Sequence, residues 1–260
     1  MARRKEQAKQ ARSTSPHRFP RIRWRKSRRP TPRQSGFKFI CPPTEARQLR
    51  FSIAQKPGYR AIVLTIDTVV ASNRETDTRN HFRSPFPLGN FPGENGAYAA
   101  APIKRDLDWD DVEFTRKTTG LPVLLKGVMS PELAVAAAEH GCAGIQVSNH
   151  GGRQLDDVAA SITVLPRIAD AVRGRAIIVI DGGIRRGQDV FKALALGANA
   201  VAIGRPILYG LALGGWMGVQ AVLKHLDGEL EMTMRLAGAR TIAEISRRFV
   251  ATGVETSRTV

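Results

Sequence analysis

AGIQVSNHGGRQLD, residues 143–156, opens as an apolar run and then turns polar all at once. Its first five residues read as a buried strand, and the remainder sets a histidine and an arginine on either side of two glycines. The same succession recurs along the chain. AIVLTI (61–66), PVLLK (122–126), AIIVI (176–180) and AVAI (200–203) are short, apolar on consecutive positions and rich in β-branched residues. Continuous rather than alternating apolar character marks strands buried on both faces of a parallel sheet. Between the later four runs lie the helix-like stretches SPELAVAAAEHG, SITVLPRIADAVRG and RGQDVFKALALGA. Ser130 and Pro131 form an N-cap and first-turn pair, and Gly141 and Gly197 read as helix stops. The repeating unit is strand, loop, helix.

Each run closes on polar or glycine residues: Thr65 and Asp67, Lys126, Ser148 with His150, Asp181 with Gly182 and Gly183, and Gly204 with Arg205. In a (β/α)8 barrel those edges converge on one mouth, whereas in a doubly wound sheet they need not meet. The expected fold is therefore α/β, of the (β/α)8 TIM-barrel type. Five strands are clear and GFKFIC (36–41) offers a sixth, so the barrel is expected to be incomplete, with its first strands absent. The segment 67–120, rich in Gly, Pro and Asn around SPFPLGNFPGENG, reads as an elaborated loop over the mouth.

The net charge of +17 is unevenly placed. Residues 1–35 carry a net +12 and the other 225 residues only +5. The chain accordingly divides into a basic, disordered tail (1–35), the barrel (36–250) and a C-terminal tail (251–260). Three readings of the basic tail stay open: a solvated extension or misassigned start, an organelle transit peptide, and an arm for acidic surfaces or nucleic acid. The body carries no specific nucleic-acid signal. No run approaches the roughly 18–20 apolar residues of a membrane span, so a soluble intracellular protein is expected. The final SRTV is not a peroxisomal tripeptide, which leaves location open. Cys41 and Cys142 sit in or beside apolar stretches and read as reduced and inert. No metal site is expected.

DGGIRRG (181–187) offers Gly182 and Gly183 for close backbone approach, Arg185 for charge, and a helix start suited to an anion. Gly204 and Arg205 repeat the arrangement one strand later, where barrels commonly hold a phosphate. Lys126, at the end of an apolar strand, must either snorkel outward or face the mouth and meet an anion. An imidazole such as His150, held by a carboxylate such as Asp67, can act as a general base, and the Arg153 guanidinium can clamp a carboxylate. Together these suit proton abstraction from a small carboxylic acid beside a phosphate-bearing cofactor.

LTIDT, NRETDTRNHF, LPVLLKG, SNHGGRQLD, DGGIRRGQDVFKALALGA and GRPILYGLALGG, in this order, resemble the FMN-dependent 2-hydroxy acid oxidases and dehydrogenases, a family that includes glycolate and lactate oxidases. The resemblance implies FMN as cofactor, a small (S)-2-hydroxy acid as substrate, and oxygen or another electron acceptor. It implies His150 as the base, oriented by Asp67, with Arg153 and Arg74 binding the substrate carboxylate. Lys126 would neutralise charge on the reduced flavin, and Thr65 and Ser148 would bond its ring. Asp181, Gly182, Gly183, Arg185, Gly204 and Arg205 would hold the ribityl chain and phosphate.

The chain departs from the family pattern in its first part. FKF puts Phe37 and Phe39 where the family has a flavin-binding Gln and a substrate-binding Tyr, and DTVVASNRE lacks the usual Pro and Gly near Arg74. Two expectations follow: a working FMN enzyme, or a truncated, catalytically impaired relative that retains FMN or phosphate binding. Unpaired edges and an open interior also make self-association into a homo-oligomer plausible.

Overall fold

The computed structural model describes residues 59–83 and 104–251 in full, and the strand Ser35–Ile40 by its backbone alone. The basic tail, Cys41, the side chains of Phe37 and Phe39, the SPFPLGNFPGENG stretch and residues 252–260 lie outside the described residues. Among the described residues the apolar runs form one six-stranded parallel sheet whose spatial order is their order in the chain. The strands are β1 (Ser35–Ile40), β2 (Tyr59–Thr65), β3 (Val123–Val128), β4 (Gly144–Val147), β5 (Ile177–Ile180) and β6 (Ala200–Val201). A doubly wound sheet reverses its order at a switch point; this one never does. It is the arc of a (β/α)8 barrel with six of the eight strands.

Helices α1 (Glu75–Arg79) and α2 (Trp109–Thr119) follow β2, and α3 (Pro131–Glu139) follows β3. After them come α4 (Ser161–Val172), α5 (Gly187–Ala195) and α6 (Arg205–Ala237), each after its own strand. Ser130 caps α3 as its sequence implies, its hydroxyl accepting from the Leu133 N–H at 3.2 Å. Gly141 and Gly197 stand just past the ends of α3 and α5 at positive φ, the conformation that stops a helix without strain.

The in-register pairing sorts strand residues onto two faces. Ile62, Leu64, Val123, Leu125, Ile145, Ile178 and Ile180 are buried in one cluster with Val112 of α2, Ala134 of α3 and Leu165 and Ile168 of α4. Each valine, leucine or isoleucine among them contributes about 1.5–3 kcal/mol by leaving water. On the opposite face Val63, Leu124 and Val179 are only half-buried and Ile177 is 54% exposed. That face is the barrel interior, open on one side. It is the apolar surface that the further strands of a closed barrel would enclose, and no such strands stand there among the described residues.

Two sequence expectations need correction. The segment 67–120 is not one loop: it contains α1 and α2. Helix α2, WDDVEFTRKTT, is too polar to show a clear apolar stripe, and it is set instead by its ends. Asp108 and Asp111 form a reciprocal capping box, Lys104 pairs with Asp111 at 2.7 Å, and Gly120 closes the helix at φ +65°. Lys126, expected to end its strand, is followed by Gly127 and Val128, which continue β3 through a bulge.

The expectation that no run approaches a membrane span also needs correction: the C-terminal helix α6 is long and apolar enough, by length and composition, to cross one. It is not a straight rod. Gly214 and Gly215 have non-helical backbone, and a Cβ on Gly218 would stand 1.9 Å from the carbonyl oxygen of Gly210. Residues eight apart on one straight helix would be separated by about 12 Å, so the two arms fold back on each other across the Gly214–Gly215 break. Gly228, on the second arm, has no neighbour within 4 Å of its Cβ position. Urea unfolding should therefore show opposite effects on one helix. Gly218→Ala should destabilise by about 1–3 kcal/mol through backbone overlap, and Gly228→Ala should stabilise by up to about 1 kcal/mol.

Candidate active site

The register brings Thr65, Lys126, Gln146 and Val179 side by side in one row across β2 to β5, on the interior face. One level above them, at the C-terminal ends of the strands, stand Asp67, Ser148 and Asp181. A cavity of about 410 Å³ opens over this corner, and Lys126, Gln146, His150 and Asp181 line its floor and wall.

Lys126 is 5% exposed, so its ammonium must find partners inside. It donates to Ser148 Oγ at 2.8 Å, and its Nζ lies 3.7 Å from Asp181 Oδ2 and 3.4 Å from His150 Nδ1. The His150 Nδ1 is 3.0 and 3.1 Å from the two carboxylate oxygens of Asp67. A carboxylate only accepts, so Nδ1 carries the proton and donates to Asp67. The Lys126 approach is then a charge contact rather than a second hydrogen bond to Nδ1. This tautomer leaves Nε2 as the basic nitrogen.

The loops that carry these groups are locked together. Gly127 sits in the β3 bulge at φ +104°, and a Cβ there would meet Asp67 Cβ and Cγ at 2.8 Å. Only glycine lets Asp67 lie against β3 and reach the imidazole. His150 itself takes φ +57°, a left-handed conformation rare outside glycine and costing of order 1–3 kcal/mol, and Ser148 Oγ accepts its N–H at 3.1 Å. Gln154 donates to the carbonyl of Asp67 at 3.0 Å and ties the β4 loop to the β2 loop. Ser161 of α4 donates to the Asp181 carbonyl.

Of the residues singled out from the sequence, Lys126, His150, Arg153, Asp181, Gly182, Gly183, Arg185, Gly204 and Arg205 all line the one cavity. Asp67 and Ser148 support it through His150 and Lys126. Thr65 lies in the same row, buried, with its hydroxyl oxygen unpartnered. Arg74 is not brought to the cavity: it stands at the N-cap of α1 and its Nε donates to Ser72 Oγ at 3.1 Å. The α5 helix start, expected to face an anion, is already capped. Asp189 Oδ2 accepts from the backbone N–H of Arg185 and Arg186 at 3.0 and 2.9 Å, and Glu229 from that of Gly187 at 2.8 Å. An anion in the cavity would instead meet the glycine backbone and the guanidiniums of Arg153, Arg185 and Arg205. Gln146, absent from the sequence reading, donates to Asp181 Oδ2 at 2.6 Å. A lone amide in AGIQV was the signal that could have revealed it.

These features fit a flavin nucleotide: room for the ligand, no atom within 4 Å of a Cβ position on Gly183 or Gly204, arginines for a phosphate, and a buried cation beside an unpartnered hydroxyl. A family model described as FMN-dependent dehydrogenase matches residues 35–252. The chain belongs to the FMN-dependent dehydrogenase family. It is 48% identical over 211 residues to a peroxisomal (S)-2-hydroxyacid oxidase of Arabidopsis thaliana, covering 76% of this chain and 58% of the relative. It is 48% identical over 200 residues to an L-lactate oxidase of Lentilactobacillus hilgardii, covering 74% of this chain and 54% of that protein. A solved mandelate oxidase superposes with a TM-score of 0.75 at 37% identity, covering 82% of this chain and 63% of that chain. The family fold is a TIM barrel and its cofactor is FMN. The chain spans rather more than half the length of these relatives, in keeping with six strands of eight.

Cys142 does not line the cavity; it is buried beneath α3, and burial pushes its thiol up to about 11. In a Cys41→Ser background at pH 8, alkylation of folded protein should be slower than in urea by at least about a hundredfold, because the thiolate is the nucleophile. Comparable rates in the two states would place Cys142 outside the core.

Proposed function

We propose that the chain binds FMN in this cavity and oxidises a small (S)-2-hydroxy acid to the corresponding 2-oxo acid. The observation that carries the reading is the Asp67–His150–Lys126 cluster at the edge of a cavity that also holds Arg153, Arg185 and Arg205. The domain limits we assign are 36–250 for the barrel, flanked by a basic tail and a short C-terminal tail.

Bound FMN would supply the acceptor for two electrons, with oxygen or another acceptor reoxidising it. The protein's own residues then have separate tasks. His150, with Nδ1 tied to Asp67, takes the substrate proton on Nε2, and the Asp67 carboxylate offsets the charge the ring gains. Arg153 clamps the substrate carboxylate, and Arg74, which stands outside the cavity at the N-cap of α1, would have to swing in to join it. Lys126 presents its charge to the flavin, while Thr65 and Ser148 hold the ring. Asp181, Gly182 and Gly183 hold the ribityl chain, and Arg185, Gly204 and Arg205 the phosphate.

A second reading is a catalytically impaired relative that keeps FMN or phosphate binding. The open interior face, with Ile177 54% exposed, favours it. The same open face would favour association of copies.

Purified protein carrying FMN should bleach when glycolate or L-lactate is added without oxygen. His150→Gln should retain the flavin and lose at least about a hundredfold in reduction rate, the usual worth of a general base. Reduction that survives this change would remove His150 from the chemistry. Flavin that binds but never bleaches with any 2-hydroxy acid would leave the impaired-relative reading.

A further inference from the structure

Gln146 occupies a position that the chemistry assigned above does not use. It lies in the middle of a four-residue strand, 8% exposed, between Ile145 and Val147, both fully buried. A buried amide is costly unless bonded, and this one donates from Nε2 to Asp181 Oδ2 at 2.6 Å. Only the amide nitrogen can make this bond, because a carboxylate offers no proton. Lys126 faces the same oxygen at 3.7 Å, close enough for attraction and too far for a hydrogen bond. Gln146 and Lys126 are register partners on adjacent strands, so both reach Asp181 from the same level of the interior face. The neutral amide thus takes the short hydrogen bond, and the ammonium keeps a longer ion pair with the same oxygen.

The outcome matters to whatever enters the cavity. A carboxylate closed onto Lys126 would turn the 3.7 Å ion pair into a direct hydrogen bond and take up an N–H of the ammonium at the cavity floor. Held by Gln146, Asp181 stands back, and the ammonium is bonded by a neutral hydroxyl, Ser148 Oγ, at 2.8 Å. On its other side the Asp67 carboxylate is engaged by His150. We propose that Gln146 is a positioning residue that holds Asp181 back from a direct hydrogen bond to Lys126, so that an N–H of the Lys126 ammonium stays available to an electron-rich ring bound in the cavity. This rests on the FMN reading for the identity of the ligand, but the arrangement of the three side chains does not.

The test uses the full 260-residue chain and Gln146→Met, which keeps length and volume and removes the donor. Its crystal structure should show Asp181 Oδ2 and Lys126 Nζ drawn from 3.7 Å to hydrogen-bond distance, about 2.8 Å. An unchanged separation in a folded variant would overturn the proposal without reference to any flavin. Titration with FMN, followed by quenching of flavin fluorescence, gives the second measurement. Gln146→Met should weaken FMN binding about tenfold, and the same change in an Asp181→Asn background should have little effect, since no carboxylate remains to be restrained. An equal loss in both backgrounds would make Gln146 a packing residue and overturn the positioning role. Should the unaltered chain bind no FMN, the function proposed above fails, and the crystallographic separation still decides the role of Gln146.

Discussion

A lysine ammonium buried in an open-sided β/α sheet is the constraint on which the rest of this structure depends. The Lys126 charge is almost wholly removed from water, and such burial is tolerated only where partners surround the ion. Those partners come from three different loops: Ser148 and His150 after β4, Asp181 after β5 and, through the imidazole, Asp67 after β2. Residues more than a hundred positions apart in the chain are thereby drawn to one corner. The glycines follow from the same demand. Gly127 must lack a side chain so that Asp67 can press against β3 beside the lysine.

The parallel register makes this convergence inexpensive. Neighbouring strands pair without reversal, so residues at one level point to one face, and a polar row can run across β2, β3 and β4 without disturbing the apolar rows below. Helix packing secures the opposite face, where Ile62, Leu64, Leu125, Ile145 and Ile180 are nearly or wholly inaccessible. The stable face and the chemical face are thus the two sides of the same few strands.

How far this was legible in the sequence depends on what kind of signal each element leaves. The strands were legible because strands of a parallel β/α sheet are apolar towards the helices and towards the interior alike, even where the interior face stands open, and the convergence of their polar ends pointed to His150, Lys126, Asp181 and Asp67. Helix α2 was not, because WDDVEFTRKTT is held by its caps and leaves only Val112 as a deeply buried apolar residue. The doubling back of α6 was hidden because it depends on Gly210 and Gly218 meeting in space, a contact that no periodicity encodes. The anion site at the start of α5 was over-read. A Gly-Gly-x-Arg loop before a helix suggests free amides, but Asp189 and a glutamate forty residues further on had already taken them.

The central claim is that a buried cation, organised by carboxylates from separate loops, forms the floor of a flavin site. Titration of the unaltered chain and of Lys126→Met with FMN, at equal protein concentration and with folding checked by circular dichroism, tests it most directly. The account predicts saturable binding of one flavin per chain, weakened at least about tenfold by removal of the ammonium. Equal affinity in the two folded proteins, or no saturable binding in either, would contradict it.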